Sequence, residues 1–429
     1  MQNCLFIGVD VALKGNQFCV MNFDQYIFFN LKFPNTPEGN EMVINKIKDM
    51  EDKFFFEKII IVMEATNMYS FHPACYFSSN EYLNNFHTEV YQINAFDFDK
   101  YKKSFHDLEK EDSTDAYVLA DFARVGRTKG LYPFKGAQYI ALQRLTRQRY
   151  HICRELIREK TYVLTNLYLS FSGLISTNKS DLPFSDLFGA TSSAFMEEFV
   201  SPDQIAESSV EELIEFISNK SKNHYSNIDD KITSLHKAIR ASYRLDQTAY
   251  EPINMAIACS LNTIKFYQTQ LKNIDKAITT TALGLDSNTY NILLSIRGIG
   301  KVYAAGIMAE IGNIDRFSHN SKLAKYSGLY WKRNQSGEYD SQDKKSSKKS
   351  NKYLRYYLVE ATSSCVMHKF PFIKDFYDIK YNEVSKHQHK RALVLSARKL
   401  ERLILDCCEK INITNQLTQF KIQRTRPTL

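Results

Sequence analysis

Two aspartates three residues apart, Asp112 and Asp115, open the run Asp112-Ser-Thr-Asp-Ala-Tyr-Val-Leu-Ala-Asp-Phe-Ala123. The run predicts a helix, in which positions i and i+3 share a face. Both carboxylates then point the same way from the first turn. Acids in a first turn also offset the helix dipole, which is the simpler reason for their presence. Two further acids change the balance. Asp10 ends the apolar run Leu5-Phe-Ile-Gly-Val-Asp10, and Glu64 ends Ile59-Ile-Ile-Val-Met-Glu64. Both runs predict buried strands that finish in a carboxylate. Four acids brought together carry too much negative charge to be buried without a counter-cation. Mg²⁺ takes oxygen ligands, and substrate phosphate usually completes its octahedral shell. Two such ions about 4 Å apart stabilise the attacking and leaving oxygens of an in-line displacement. Asp10, Glu64, Asp112 and Asp115 are therefore candidate metal ligands for phosphodiester cleavage.

The elements that must position these acids follow from the pattern around them. Residues 5–9, 17–23 and 26–31 predict three strands, with Gly15-Asn16 as the first turn. Residues 34–52 contain a polar helix, 58–63 a buried strand, 68–80 a helix and 89–93 a short strand. A three-strand meander followed by alternating helix and strand gives a mixed sheet with helices on its faces. Ligands of such sheets sit at the carboxyl ends of the strands, where Asp10 and Glu64 fall. The Asp112/Asp115 helix must then begin beside them.

Residues 138–170 predict a long helix, with Leu142, Leu145, Ile152, Leu156, Val163 and Leu167 near a three-four spacing. A second helical region, 228–280, repeats that spacing at Ile264, Tyr267, Leu271, Ile274 and Ile278, with Pro252 breaking or kinking it. The pair predicts an antiparallel coiled-coil arm; an ordinary helical bundle is the alternative. Residues 171–227, rich in Ser, Asn and Asp, form an inserted subdomain or a long ordered loop. The chain thus divides into an acid-bearing domain at 1–135, an arm with insert at 136–285, and a mostly α-helical domain at 286–429. The fold class is α/β plus α.

The C-terminal part opens with Gly298-Ile-Gly300-Lys301 between two helical patterns. A helix-hairpin-helix has this form: glycines admit close approach, and amides at the next helix start hold a phosphate. A plain helix turn gives the same pattern. Ser336 lies in Asn334-Gln-Ser-Gly337 and reads as a turn serine. A serine acting as nucleophile needs a base, a metal or a positive neighbourhood. Lys332 and Arg333 precede it. The later run 344–355 carries Lys344, Lys345, Lys348, Lys349, Lys352 and Arg355 with no acid within it, interleaved with hydroxyls. Phosphate contact is the natural use of such a set; a solvated basic loop is the alternative. Residues 353–368 and 390–410 predict two amphipathic helices, and 421–426 a frayed basic tail.

A formal net charge of +8 suits a polyanionic partner without requiring one. The eight cysteines include no Cys-x-x-Cys pair, so neither a zinc ribbon nor a disulfide framework is indicated. Reduced thiols in a cytoplasmic protein are expected. No apolar run approaches the roughly 18 residues of a membrane span, and no membrane partner is expected.

The chain resembles the DEDD recombinases of the insertion-sequence-110 family, which includes the insertion-sequence-1111 group. The N-terminal motifs that carry the resemblance are Gly8-Val-Asp10, Met63-Glu64-Ala65 and Lys110-Glu-Asp-Ser-Thr-Asp-Ala116. The last departs from the family pattern at Glu111 and Ser113. The C-terminal ones are Gly298-Ile-Gly300, Ala309-Glu-Ile-Gly312, Gly328-Leu329, Ser336-Gly337 and Leu354-Arg355, in the family's order. The resemblance implies an RNase H/RuvC-like N-terminal domain and an enzyme that cuts and rejoins DNA to move an insertion sequence. It implies Ser336 as a nucleophile that holds a cut strand end as phosphoserine. It implies Mg²⁺, with Mn²⁺ as a substitute, on the four acids. A structured guide RNA bridging donor and target DNA is implied as partner. So are a dimer that pairs into a tetramer, and a nucleoid-associated place in a prokaryotic cytoplasm. Two other readings of the same residues are a RuvC-like nuclease, such as a junction resolvase using water, and a non-catalytic nucleic-acid scaffold.

Overall fold

The computed structural model describes residues 3–424 except 52, 66–67, 106–110, 130, 135, 177–181, 185, 200, 223–226, 318, 332–334, 337–338 and 341–349. The chain forms two compact units, Met1–Gln138 and Tyr139–Leu429.

The first unit is built on β1 (Cys4–Val11), β2 (Gly15–Met21), β3 (Ile27–Pro34), β4 (Lys58–Glu64) and β5 (Glu89–Ile93). They form one sheet in the order β3-β2-β1-β4-β5. β1, β2 and β3 are antiparallel neighbours, while β1, β4 and β5 run parallel. Helices α1 (Pro37–Glu51), α2 (Phe71–Ser79), α3 (Glu81–Asn84), α4 (Ala95–Lys102) and α5 (Asp112–Arg124) complete the unit. Successive strand residues face opposite sides, which explains the unbroken apolar runs of β1 and β4. Leu5, Ile7, Ile59 and Ile61 pack with Val43, Ile44 and Phe77 on one face. Phe6, Ile60 and Val62 pack with Ala116, Leu119 and Ala120 of α5 on the other. The mixed sheet covered on both faces is the expected α/β, RNase H-like arrangement. The predicted turn at Gly15-Asn16 is corrected, because both residues lie within β2. The Asn16 side chain instead accepts the Ala12 amide at 3.3 Å, closing the turn one step earlier.

The second unit begins with α6 (Ile140–Ser170). The segment after it folds as α7 (Ser172–Ser176), α8 (Ala190–Glu198), α9 (Pro202–Glu207), α10 (Val210–Ser221) and α11 (Ile228–Arg240). It is therefore helical, and its Phe171, Phe195, Leu213 and Leu235 form one apolar core with residues of α6 and of the helix that follows. Next comes α12 (Gln247–Ser295). Leu142 shares a core with Ile278 and Ala282, whereas Val163 and Leu167 share one with Ile257, Leu261 and Ile264. The reversed order makes α6 and α12 an antiparallel pair. Pro252 does not break this helix. The interruption lies between Arg240 and Gln247, and Pro252 falls near the start of α12. As the sixth residue of α12 it forfeits one bond, to the Thr248 carbonyl four residues back, and the helix continues on either side of it. A departure from helical backbone occurs instead at Asp286, whose side chain accepts the Thr289 amide at 3.0 Å.

The chain continues through α13 (Lys301–Ile311), α14 (Asn320–Ser327), the hairpin β6 (Gln335–Ser336) and β7 (Tyr339–Asp340), α15 (Lys352–Met367), α16 (Pro371–Asn382) and α17 (Gln388–Arg424). Buried Tyr290, Leu354, Tyr357, Leu400 and Ile404 join α12, α15 and α17 in one core. Two differences from expectation stand out at this end. A helix, α16, lies between the two predicted ones, and α17 runs on to Arg424 through the tail expected to fray. Among the described residues no helix is long and apolar enough to cross a membrane.

Candidate active site

Asp10 and Glu64 sit side by side because β1 and β4 are parallel and in register. Val9 is paired with Met63, and each acid is the next residue along its strand. α5 is brought to the same edge by a close approach at Gly8. A Cβ on Gly8 would lie 2.0 Å from the Ala116 carbonyl oxygen and 2.3 Å from the Ala120 nitrogen. Only a residue without a side chain lets this helix lie so near the strand. Asp115 directly precedes Ala116, and Asp10 lies two residues beyond Gly8. The start of α5 is fixed from the other side as well. Asn30 of β3 donates to the Ser113 carbonyl at 2.9 Å, and Gln17 of β2 donates to the Asn30 side chain at 2.7 Å.

The electrostatics report the gathering directly. The Asp10 carboxyl is pushed up to about 6, first by burial and then by the charges of Asp115, Asp112 and Glu64. Lys102 opposes the shift. Desolvation and the repulsion of neighbouring carboxylates both disfavour the charged form, burial the more strongly here. Two lysines supply positive charge here. Lys32 of β3 donates to Asp112 Oδ2 at 2.8 Å, and this pair is exposed. Lys102, at the end of α4, is ion-paired with Asp115 Oδ1. That oxygen is buried, with this ammonium as its charge partner. The patterns of the sequence did not single out either lysine, since each lies on an element remote from its acid.

An all-oxygen donor set around an under-neutralised cluster suits a hard divalent cation. As the side chains stand, no three acids, histidines or cysteines among the described residues close around a single ion. Asp112 and Asp115 face lysines instead.

The other candidate residues lie in the second unit. Ser336 pairs with Tyr339 across the β6–β7 hairpin. Lys332, Arg333, Lys344, Lys345, Lys348 and Lys349 lie outside the described residues. Gly298 has φ +98°, and a Cβ there would lie 2.6 Å from the Cys365 Cα of α15. Packing alone therefore demands glycine at this position. Gly300, before the first turn of α13, has open space where a Cβ would point. Lys301 opens α13 and Lys352 opens α15, both exposed. Arg355 lies one turn further along α15, half-buried.

Residues 7–171 match the family model of IS110-type DEDD transposases. Residues 290–378 match that of the transposase IS116/IS110/IS902 family. Together the matched segments cover more than half of the chain and contain all five candidate catalytic residues. The chain belongs to the IS110 family of transposases. No curated protein matches it. The transposase is thus an enzyme that acts on DNA by cleavage and rejoining, and its DEDD class uses divalent metal. The first match takes in every acid of the cluster, and the second takes in Ser336 and the basic run after it.

Proposed function

We propose that the transposase moves its insertion sequence by an RNA-guided exchange of DNA strands through a phosphoserine intermediate. The single observation that carries the acid half of this reading is geometric: Asp10 and Glu64 end adjacent parallel strands, and the close approach at Gly8 brings the Asp112/Asp115 helix to the same edge. Such a group of carboxylates is adapted to hold positive charge at a scissile phosphate. Asp10, Glu64, Asp112 and Asp115 would hold Mg²⁺, with Mn²⁺ as substitute. The ion supplies charge neutralisation at the phosphate when bound.

The Ser336 oxygen attacks the phosphorus of one strand. The bond from phosphorus to the leaving sugar oxygen breaks, and that oxygen takes a proton while the serine gives one up. The strand end stays attached through serine. A hydroxyl of another strand then attacks the same phosphorus and releases Ser336 with its proton restored. One phosphate ester replaces another at each step, so no nucleotide hydrolysis is required. The sequence correspondingly lacks a Gly-x-x-x-x-Gly-Lys phosphate loop.

Base pairing with a structured guide RNA selects donor and target, so the protein needs mainly backbone contacts. Gly298, Gly300, Lys301, Lys332, Arg333, Lys344, Lys345, Lys348, Lys349, Lys352 and Arg355 supply them, since amides, lysine and arginine are the groups that bind phosphate without regard to sequence. Residues 136–285 form the arm through which a dimer pairs into a tetramer. The acids of one subunit then act with the serine of another.

The deciding experiment compares the wild type with Ser336→Ala and with Asp10→Ala on DNA carrying both ends of the element, with RNA transcribed from its non-coding flank. A protein–DNA adduct through serine is expected in the wild type, and neither variant should cleave although both bind DNA. Full cleavage by Ser336→Ala, with no adduct in the wild type, would identify a nuclease that uses water. Unchanged activity in Asp10→Ala would remove the acids from the chemistry.

A further inference from the structure

The chain leaves α14 and enters α15 at one point. The Asn351 backbone N–H donates to the Tyr326 carbonyl at 2.7 Å, and Asn351 Nδ2 donates to the Tyr326 hydroxyl at 3.0 Å. Residues 327–350, Ser336 among them, are therefore carried between two joined feet. Asn351 is itself held from within the fold. Its Nδ2 also donates to Glu310 Oε2 at 2.7 Å, while its Oδ1 caps α15 by accepting the Tyr353 and Leu354 amides at 3.0 and 3.1 Å. Glu310 lies in the apolar helix α13, and its side chain is 0% exposed. Arg147 of α6 grips that carboxylate with Nε and Nη2 at 2.8 and 2.9 Å and lies over the Tyr353 ring, 4.5 Å from its centre. Gln143 donates to it at 3.3 Å.

A fully buried carboxylate is a costly way to fill a helix face, and a well-packed apolar residue often serves stability as well or better. The distinct property of the ionic set is direction: the charge-assisted, bidentate Arg147–Glu310 pair fixes the carboxylate in angle as well as in distance, and the Oε2 so held accepts from Asn351. α13, α14 and α15 meet at this amide, and α6 reaches it through Glu310. The opposite foot has a second buried carboxylate, Glu401 of α17, which accepts from the Ser327 hydroxyl at 2.8 Å.

We infer that Glu310, Arg147, Asn351 and the Tyr326 hydroxyl act as one positioning set, in which each bond to the Asn351 amide is needed to fix the feet of the Ser336-bearing segment and thereby set how fast the serine attacks. The inference rests on Ser336 being the nucleophile. A displacement of about 1 Å at a reacting atom lowers a rate by as much as about a hundredfold, so a loosened foot acts on attack more than on DNA binding.

The test uses Asn351→Ser and Tyr326→Phe. Serine caps a helix as well as asparagine does but does not reach Glu310 and Tyr326 together; phenylalanine removes only the hydroxyl and leaves the cap. Each variant is assembled, full-length, with the element's RNA and end DNA, beside wild type and Ser336→Ala. Single-turnover adduct formation is followed at saturating DNA, and DNA affinity is measured separately. Adduct formation should be slowed about tenfold or more in both variants, with affinity unchanged and Ser336→Ala inactive. Wild-type rates in both, with Ser336→Ala inactive, overturn the positioning role and leave the nucleophile in place. A defect that vanishes at saturating DNA overturns it too. An adduct undiminished in Ser336→Ala removes the nucleophile reading and this inference with it. If Asn351→Ser fails to fold, Tyr326→Phe decides alone: slow attack supports the role and normal attack overturns it.

Discussion

Gly8 and Ala116 touch so closely that a single added carbon on Gly8 would sit 2.0 Å from the Ala116 carbonyl oxygen. This contact sets the distance between strand β1 and helix α5, and so between Asp10 and Asp115. The obstacle is backbone, which cannot rotate aside. Gly8→Ala should push α5 off the sheet, with a cost near the upper end of the ~1–3 kcal/mol usual for overpacking. The expected result is a lowered melting temperature and loss of strand cleavage even where the fold survives. Wild-type cleavage by a stable variant would show that the acids tolerate a displaced helix.

Asp10 makes stability depend on pH when no metal is present. Its folded value of about 6 lies above its ordinary 3.8. Between those values the folded state binds the proton and the unfolded state does not. Stability is therefore greatest at the acid end of that window and falls as pH rises through about 6. Melting temperatures in a chelator across this range should show the decline, and Asp10→Asn should flatten it. The variant should also melt higher than wild type near pH 7 in chelator. Equal slopes for the two proteins would mean that neither burial nor the neighbouring charges raise Asp10.

Lys102 stands against Asp115 where a cation would compete for the same oxygen. Replacing it by methionine leaves the acid cluster with less neutralising charge. Lys102→Met should melt lower than wild type in chelator and gain more on addition of Mg²⁺ or Mn²⁺. Calorimetric titration should show tighter metal binding in the variant. An identical metal response would make the lysine a bystander.

The basic run is expected to hold phosphates. Changing Lys344, Lys345, Lys348 and Lys349 to glutamine should weaken nucleic-acid binding at low salt. The slope of log affinity against log salt should flatten by about 0.9 for each duplex phosphate that the variant no longer neutralises. An unaltered slope would assign these lysines to solvent.

The helix pair depends on a charge within its seam. Arg149 of α6 donates to Asp275 of α12, and the arginine is largely buried. Asp275→Ala strands that guanidinium, and breaking one side of a buried pair costs about 3–5 kcal/mol. Asp275 is one-third exposed, so the lower part of that range is expected. Chemical denaturation of the second unit's helices should register the loss, whereas an unmoved midpoint would mean that water already serves Arg149.

The amino-acid sequence by itself determined the unbroken apolar runs that become β1 and β4, the acids at their ends, the acidic first turn of α5 and the two long stripes of α6 and α12. These are local patterns: a short continuous apolar run, or an apolar stripe with a period of 3.6, is written into consecutive residues. It misjudged local boundaries where one side chain decides, as at Asn16, and where the packing of a helix outweighs one lost backbone bond, as at Pro252. Only the tertiary structure decided that Gly8 seats α5, that Lys32 and Lys102 face Asp112 and Asp115, and that Glu310 is bound by residues from α6 and α15. Close approach and charge pairing join groups far apart along the chain, and no periodicity records which distant lysine or amide will arrive at a given carboxylate.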